Sequence, residues 1–327
     1  MDKARTAIFK ESTEPDGVEV RGYDFSKGFD LRKFLDSYKT TGFQGTHLGQ
    51  GIELLREMQK ERKKNPGMKI FLGYTSNMVS SGLREVIAYL VKEKMVDVLV
   101  TTAGGIEEDV IKTLKPFILG EWNVDGKKLR ESGVNRIGNI FVPNDRYIAF
   151  EKLMNPFFQR LHGLQKQGEK ISASRFCFEL GKQVKNEHSI LYWATKHGIP
   201  VFCPAITDGS IGDMLYFYLK KNPDFVIDVA ADIVKINDIA LNADKTGVIV
   251  LGGGLAKHHV INANLFREGA DYAVYVSTGS EGDGSIAGAK PEEAKSWGKL
   301  QGEAMAVHIE GDATIIFPLM VAGLMEK

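Results

Sequence analysis

Cysteine is scarce. Cys177 and Cys203 are the only two in 327 residues, and no CxxC spacing joins them. A disulfide framework or thiolate metal cluster is not expected, and two free, buried thiols in a reducing cytosol are. Net charge is absent as well, since 42 Lys and Arg balance 42 Asp and Glu. That argues against a general nucleic-acid coat, which needs an excess of cations. No apolar run approaches the length of a membrane span. The first residues, MDKARTAIFKESTEPDG, lack the apolar core of a signal peptide. The expectation is a cytoplasmic protein that meets neither membrane nor nucleic acid, with a polar N-terminal arm, mobile or docked. No GxGxxG follows the first strand-like run, so the ordinary dehydrogenase fingerprint is missing. Neither HExxH nor a cysteine cluster accompanies the adjacent His258 and His259, and no metal site is expected.

Hydrophobic residues make up 43% of the chain and charged residues 26%, the proportions of a globular protein. Residues 30–63 read as two helices broken near Thr41-Gly42. Lys69–Gly73, Val96–Val100, Ile199–Cys203, Thr246–Leu251 and Tyr272–Val276 read as strands, Asn139–Val142 as an edge strand, and Ala313–Phe317 as the last strand. Helical patterns fall between them: from Ser81-Gly82, from Glu107, over most of 147–196, and over 211–221 and 225–242. The alternation predicts an α/β, Rossmann-like fold with a mostly parallel sheet and helices on both faces. The simplest division is an N-terminal arm and helical extension over 1–66, then one continuous catalytic unit over 67–327.

Ligands of such sheets bind outside the carboxyl ends of the strands. Hydroxyl- and glycine-bearing loops collect there: Ser76, Asn77, Ser80, Thr102, Ala103, Gly104, Gly253, Thr278 and Gly279. Small side chains and backbone N–H groups suit the phosphates and riboses of a dinucleotide. Asp208 and Asp312 can accept from ribose hydroxyls. The alternative is that the glycines serve only tight turns. Acids crowd the same ends, namely Glu107, Glu108, Asp208, Asp213, Asp283 and Glu293. Together with Trp297 they suit a cationic substrate such as a polyamine. Glu107 and Glu108 can equally serve as first-turn acids of the helix they open. Lys299, in Ser296-Trp297-Gly298-Lys299, is a candidate nucleophile, because a closed pocket beside an indole should lower its pKa. By spacing alone it is better explained as a surface lysine after a tight turn, since lysines are so common on surfaces. His258 and His259 are open between proton transfer and hydrogen-bonded core residues.

These residues also carry a resemblance. GGGLAKHH, NANLFREGADYAVY, the Asp283-Gly284-Ser285 loop and EAKSWGK resemble the deoxyhypusine synthase family. RGYDF from Arg21, TTGFQ from Thr40, FLGYTSN from Phe71, DVLVTTAGG from Asp97, NRIGN from Asn135 and PAITDGSIGD from Pro204 do so in the same order. The resemblance implies an NAD-dependent transferase. A hydride passes from spermidine to NAD, the aminobutyl portion moves as an imine to Lys299, and 1,3-diaminopropane leaves. The portion then passes to one lysine of translation initiation factor 5A and is reduced there. The resemblance further implies catalytic roles for Lys299 and His258. Glu107, Glu108, Asp213, His258, Asp283, Gly284, Ser285, Glu293 and Trp297 would hold spermidine. Glu108 and Ala313 would join the nucleotide loops in binding NAD. A homotetramer with active sites between subunits is implied too. Two positions depart from the pattern: Ile286 stands where many relatives carry a second aspartate, and Gly279 where alanine is common. Two rivals are homospermidine synthase, with putrescine as acceptor, and a non-catalytic NAD-binding partner subunit. Retention of Lys299 speaks against the second.

Overall fold

β-Branched runs form the centre of the fold in the computed structural model, which describes residues 2–10 and 12–325. The strands are β1 (Lys69–Tyr74), β2 (Val98–Thr101), β3 (Ile118–Leu119), β4 (Val134–Ile137), β5 (Ile140–Pro143), β6 (Val201–Phe202), β7 (Thr246–Leu251), β8 (Ala270–Ser277) and β9 (Leu300–Glu310). Six of them form one parallel sheet in the order β6-β2-β1-β7-β8-β9. β7 is buried along its whole length. Ile249 and Leu251 face one core, and Val248 and Val250 face the other. A strand buried on both faces has no use for polar alternation, which is why TGVIVL reads as an unbroken apolar run.

Helices cover both faces. On the larger core, the helix Phe43–Lys64 buries Leu48, Ile52, Leu55 and Met58 in the same cluster as Ile70 and Leu72 of β1. On the smaller core, the helices Ala231–Leu241, Gly254–Ala263 and Pro291–Ser296 contribute Ile236, Val260 and Ala294. Cys177 and Cys203 are both free and buried, and burial raises both thiols above their usual range. Among the described residues, no helix is long and apolar enough to cross a membrane.

Three sequence expectations need correction. The run Ala313–Phe317 belongs to a helix, Ala313–Ala322, and not to a strand. Its β-branched residues favour a strand locally. Asp312, however, caps the segment by accepting from the Thr314 amide at 2.7 Å, and Phe317, Met320 and Val321 bury one helical face. The last strand is instead β9, which starts directly after Lys299. It escaped notice because residues 301–306 are partly or wholly exposed, and LQGEAMAVHIE holds only the short apolar run Ala304–Val307 with no β-branched residue before Val307. Finally, the expected edge strand around Asn139 is β5, the middle strand of a separate three-stranded antiparallel sheet, β3-β5-β4.

Candidate active site

The carboxyl ends of β1, β2, β7, β8 and β9 carry the expected nucleotide residues. Ser76, Asn77 and Ser80 lie on the short helix Ser76–Ser80 after β1. Thr102 caps the helix Ala103–Leu114 after β2, and that helix starts four residues earlier than the sequence suggested. The Thr102 side chain makes no capping bond, and its Oγ1 is buried without a hydrogen-bond partner among the described residues. A buried hydroxyl left unpaired is costly unless something bonds to it. With the first-turn amides of this helix and of Gly254–Ala263, it fits a ligand that accepts hydrogen bonds, as the phosphates and riboses of NAD do. Thr278 is exposed at the end of β8. Asp312 receives both the amide and the hydroxyl of Thr314 on Oδ1. Asp208 is exposed in the loop after β6.

Two of the glycines have a reason within the chain. A Cβ on Gly253 would lie 2.4 Å from the Ala287 Cα, and one on Gly279 would lie 2.7 Å from the Ala287 carbonyl carbon. The loop from Thr278 to Lys290 is therefore seated on the backbone of Gly253 and Gly279, and packing alone requires glycine at both.

Glu107, Glu108 and Asp109 stand consecutively on the helix Ala103–Leu114, and all three are buried. Because the helix begins at Ala103, none of them is a first-turn acid. Each meets a different element. Asp109 pairs with Arg84 at 2.7 Å and accepts from the Ser189 hydroxyl and the Ile190 and Leu191 amides, which fastens the helix Ile190–His197. Glu107 accepts from the Ile211 amide at 2.9 Å, at the start of the helix Ser210–Leu219. Glu108 accepts from the Ser80 hydroxyl. Burial raises Glu107, and it pushes Glu108 up to about 7, with the Glu107 charge adding to the effect. Asp213 is exposed one turn into the helix Ser210–Leu219. With Asn135, Asn144, Tyr147, Glu151 and Ser210 it lines a cavity of about 510 Å³.

Lys299 occupies another cavity, of about 400 Å³. The motif Trp297-Gly298-Lys299 ends the helix Pro291–Ser296. Gly298 has φ +68°, its amide bonds to the Lys295 carbonyl, and the Lys299 amide reaches back to Ala294 at 2.9 Å. That pair of bonds is the standard left-handed helix ending, which only glycine enters without steric penalty. The Lys299 carbonyl then accepts from the Ala270 amide at 3.1 Å, so the backbone of this lysine is held on both sides. Its side chain is 8% exposed, and Nζ lies 3.2 Å from Nε2 of His258. Burial, and then the Lys299 charge, lower the His258 pKa, so the imidazole is neutral at neutral pH and can accept a proton. The Trp297 ring lies 5.3 Å from Nζ but is 64% exposed, so in one chain it shields the lysine from one side only. Glu293 and Ile286 line the same cavity. Asp283 does not line it; its Oδ1 accepts from the Ser285 amide in an exposed turn with Gly284.

The structure thus brings together Lys299, His258, Glu293, Trp297 and Ile286. It places Asp213 in the other cavity and Glu107 on the neighbouring helix. His259 lines a third cavity with Cys203 and Asp232, which shares His258 and Asn262 with the Lys299 cavity but does not include Lys299. Among the residues of the lysine cavity not singled out from the sequence is Lys257, whose side chain is fully buried. The only available signal was its place inside GGGLAKHH, next to His258.

The sequence profile described as deoxyhypusine synthase matches residues 33–324. The chain is 57% identical over 330 residues to a protein of Methanocaldococcus jannaschii named probable deoxyhypusine synthase, covering 98% of this chain and 100% of that one. It is 49% identical over 346 residues to the deoxyhypusine synthase of Senecio vernalis, covering 98% and 93%. A crystal structure from Entamoeba histolytica that carries the same enzyme name superposes with a TM-score of 0.69 at 30% identity, covering 93% of this chain and 96% of that one.

Proposed function

Because the chain belongs to the deoxyhypusine synthase family, a family of aminobutyl transferases, we propose that Lys299 carries the aminobutyl group from spermidine to one lysine of translation initiation factor 5A. The observation that carries this reading is the contact between Lys299 Nζ and His258 Nε2 at 3.2 Å inside a cavity. An amine must be neutral to attack an imine carbon, and a neutral imidazole in contact with it can take the proton. The helix ending at Gly298 holds the Lys299 backbone still while its side chain reacts. Attack on the oxidised spermidine expels 1,3-diaminopropane and leaves the four-carbon portion on Lys299 as an imine. Attack by the acceptor lysine then frees Lys299.

NAD, when bound, accepts the hydride that makes spermidine an imine and returns it to the product. Thr102, Gly104, Ser76, Asn77, Ser80, Glu108, Asp208, Thr278, Asp312 and Ala313 would hold it along the carboxyl edge of the sheet. The unpaired Thr102 hydroxyl supports that placement. Asp213, Glu107 and Glu293 would pair with the ammonium groups of spermidine.

Assembly is part of the proposal. The acids at Asp213 and the nucleophile at Lys299 line separate cavities, and a polyamine needs both. Tyr216, Phe217, Ile233 and Val234 are each more than half exposed, which suits a surface that a second subunit covers. A homotetramer with sites between subunits would bring acids and nucleophile together. Incubation with NAD, radiolabelled spermidine and either the factor or putrescine tests the acceptor. Label should enter the factor; label entering putrescine instead would make the chain a homospermidine synthase.

A further inference from the structure

Lys257 is the largest charged side chain that is fully buried, and the transfer chemistry above does not use it. Its Nζ donates to the Ala289 carbonyl at 2.6 Å and lies 4.4 Å from the centre of the Tyr275 ring. Burial lowers its pKa to about 8, with Glu293 opposing and Lys290 adding to the shift, so at neutral pH it remains mostly protonated. The bond to Ala289 is thus charge-assisted, and the ring face supports the cation from the other side.

Ala289 belongs to the loop from Thr278 to Lys290. Two carbonyls of this loop, at Ala287 and Ala289, are held from beneath. Ser277 Oγ donates to Ala287 at 2.8 Å. The Ser277 oxygen also lies 3.2 Å from His308 Nε2. Since the hydroxyl hydrogen is committed to Ala287, Nε2 must be the donor there, and His308 Nδ1 is left buried and unpartnered among the described residues. Burial lowers His308 to about 4, which keeps the ring neutral and this tautomer in place. Between and beside the two anchors, Ile286, Ala289 and Lys290 line the Lys299 cavity.

We propose that Lys257 is a positioning residue for the transfer reaction: by holding the Ala289 carbonyl it fixes the wall of the Lys299 cavity formed by Ile286–Lys290. Ser277 is the second, weaker anchor of the same wall. The sequence GGGLAKHH then contains two lysine-cavity residues in succession, one that touches the nucleophile and one that fastens the wall opposite it. This inference rests on the assignment of Lys299 and spermidine to the cavity.

Lys257→Met keeps the unbranched four-atom stem and removes the ammonium, and with it both the donor and the charge. In the full-length protein we expect faster amide hydrogen exchange across residues 278–290, with the amides of the helix Gly254–Ala263 at their native rates. We also expect the spermidine KM to rise about tenfold, with a smaller fall in kcat. Ser277→Ala should move the same two readouts less. Native loop exchange, or a native spermidine KM, in folded Lys257→Met overturns the proposal. If that variant does not fold, Ser277→Ala decides alone by the same two readouts. Loop exchange needs no substrate, so a wrong substrate assignment would still leave it altered, whereas a wrong anchor would leave it native.

Discussion

Two cavities of similar size differ in what they hold. The one at Lys299 is cation-rich: Lys257, Lys290 and Lys299 line it with His258, against one acid, Glu293. The one at Asp213 is acidic: Asp213 and Glu151 line it with hydroxyls and amides and no cation. The first holds the amine that would react with a carbon electrophile, and it offers an ammonium group a single acid, Glu293. The second can attract ammonium groups but has no nucleophile. In a single chain most of these acids lie apart from the lysine, and the proposed assembly would bring them together across an interface.

The largest expected effect lies in the first cavity. Lys299→Arg should lower transfer at least ~10³-fold, because arginine stays charged and cannot form the imine. NAD affinity should be unchanged by equilibrium titration, and borohydride trapping with NAD and labelled spermidine should mark Lys299 in the native protein. Label on a different lysine would reassign the nucleophile. Mixing then tests the division between cavities. Subunits carrying Lys299→Arg, exchanged with subunits carrying Asp213→Asn, should regain transfer at low spermidine, since one hybrid site has both native residues. A mixture no better than the sum of its parts would mean that each chain uses its own acid and its own lysine.

Removing the acids alone should cost less. Asp213→Asn and Glu293→Gln should each raise the spermidine KM by about 10- to 100-fold, the worth of one charge-assisted contact at ~1.5–3 kcal/mol. NAD affinity should hold. If only Glu293→Gln changes KM, the acidic cavity is not an amine site.

Glu108 offers a smaller effect with a definite sign. Burial holds its pKa at about 7, above the ordinary 4.5 of a glutamate. The folded state thus binds the proton more tightly, so this group's contribution to stability is full below pH 4.5 and lost as pH rises through 7. Glu108→Gln should raise the melting temperature at pH 8 relative to the native protein, by the equivalent of ~1 kcal/mol or more, and change it less at pH 5. An equal change at both pH values would mean that the carboxyl titrates normally.

The smallest effect belongs to Ile286, which is half-buried, packs against the smaller core and lines the lysine cavity. Ile286→Asp would meet three lysines there, so melting should fall by less than ~5 °C and the spermidine KM should fall or hold. A larger drop in melting would place the side chain's role in the core.

Much of the fold was legible because its signals are local. Apolar runs marked β1, β7 and β8, and the break at Thr41-Gly42 marked the helix starting at Phe43. The motif at Trp297 could be recognised by resemblance, but its helix ending follows from Gly298 alone. β9 and the final helix were misread because their local preferences are weak or contrary. β9 carries polar residues on an outer strand, and Ala313–Ala322 is β-branched where it is capped by one aspartate.

By itself, then, the sequence determined which segments bury both faces, where the glycine turns fall and which lysine ends the Trp-Gly-Lys motif. Those follow from side-chain periodicity and backbone freedom within a few residues. Only the tertiary structure decided that His258 meets Lys299 across 41 positions, that Ala287 rather than open space faces Gly253, and that Lys257 turns inward to Ala289. Such contacts depend on how the sheet aligns distant strands and helices, and no local pattern of residues encodes that alignment.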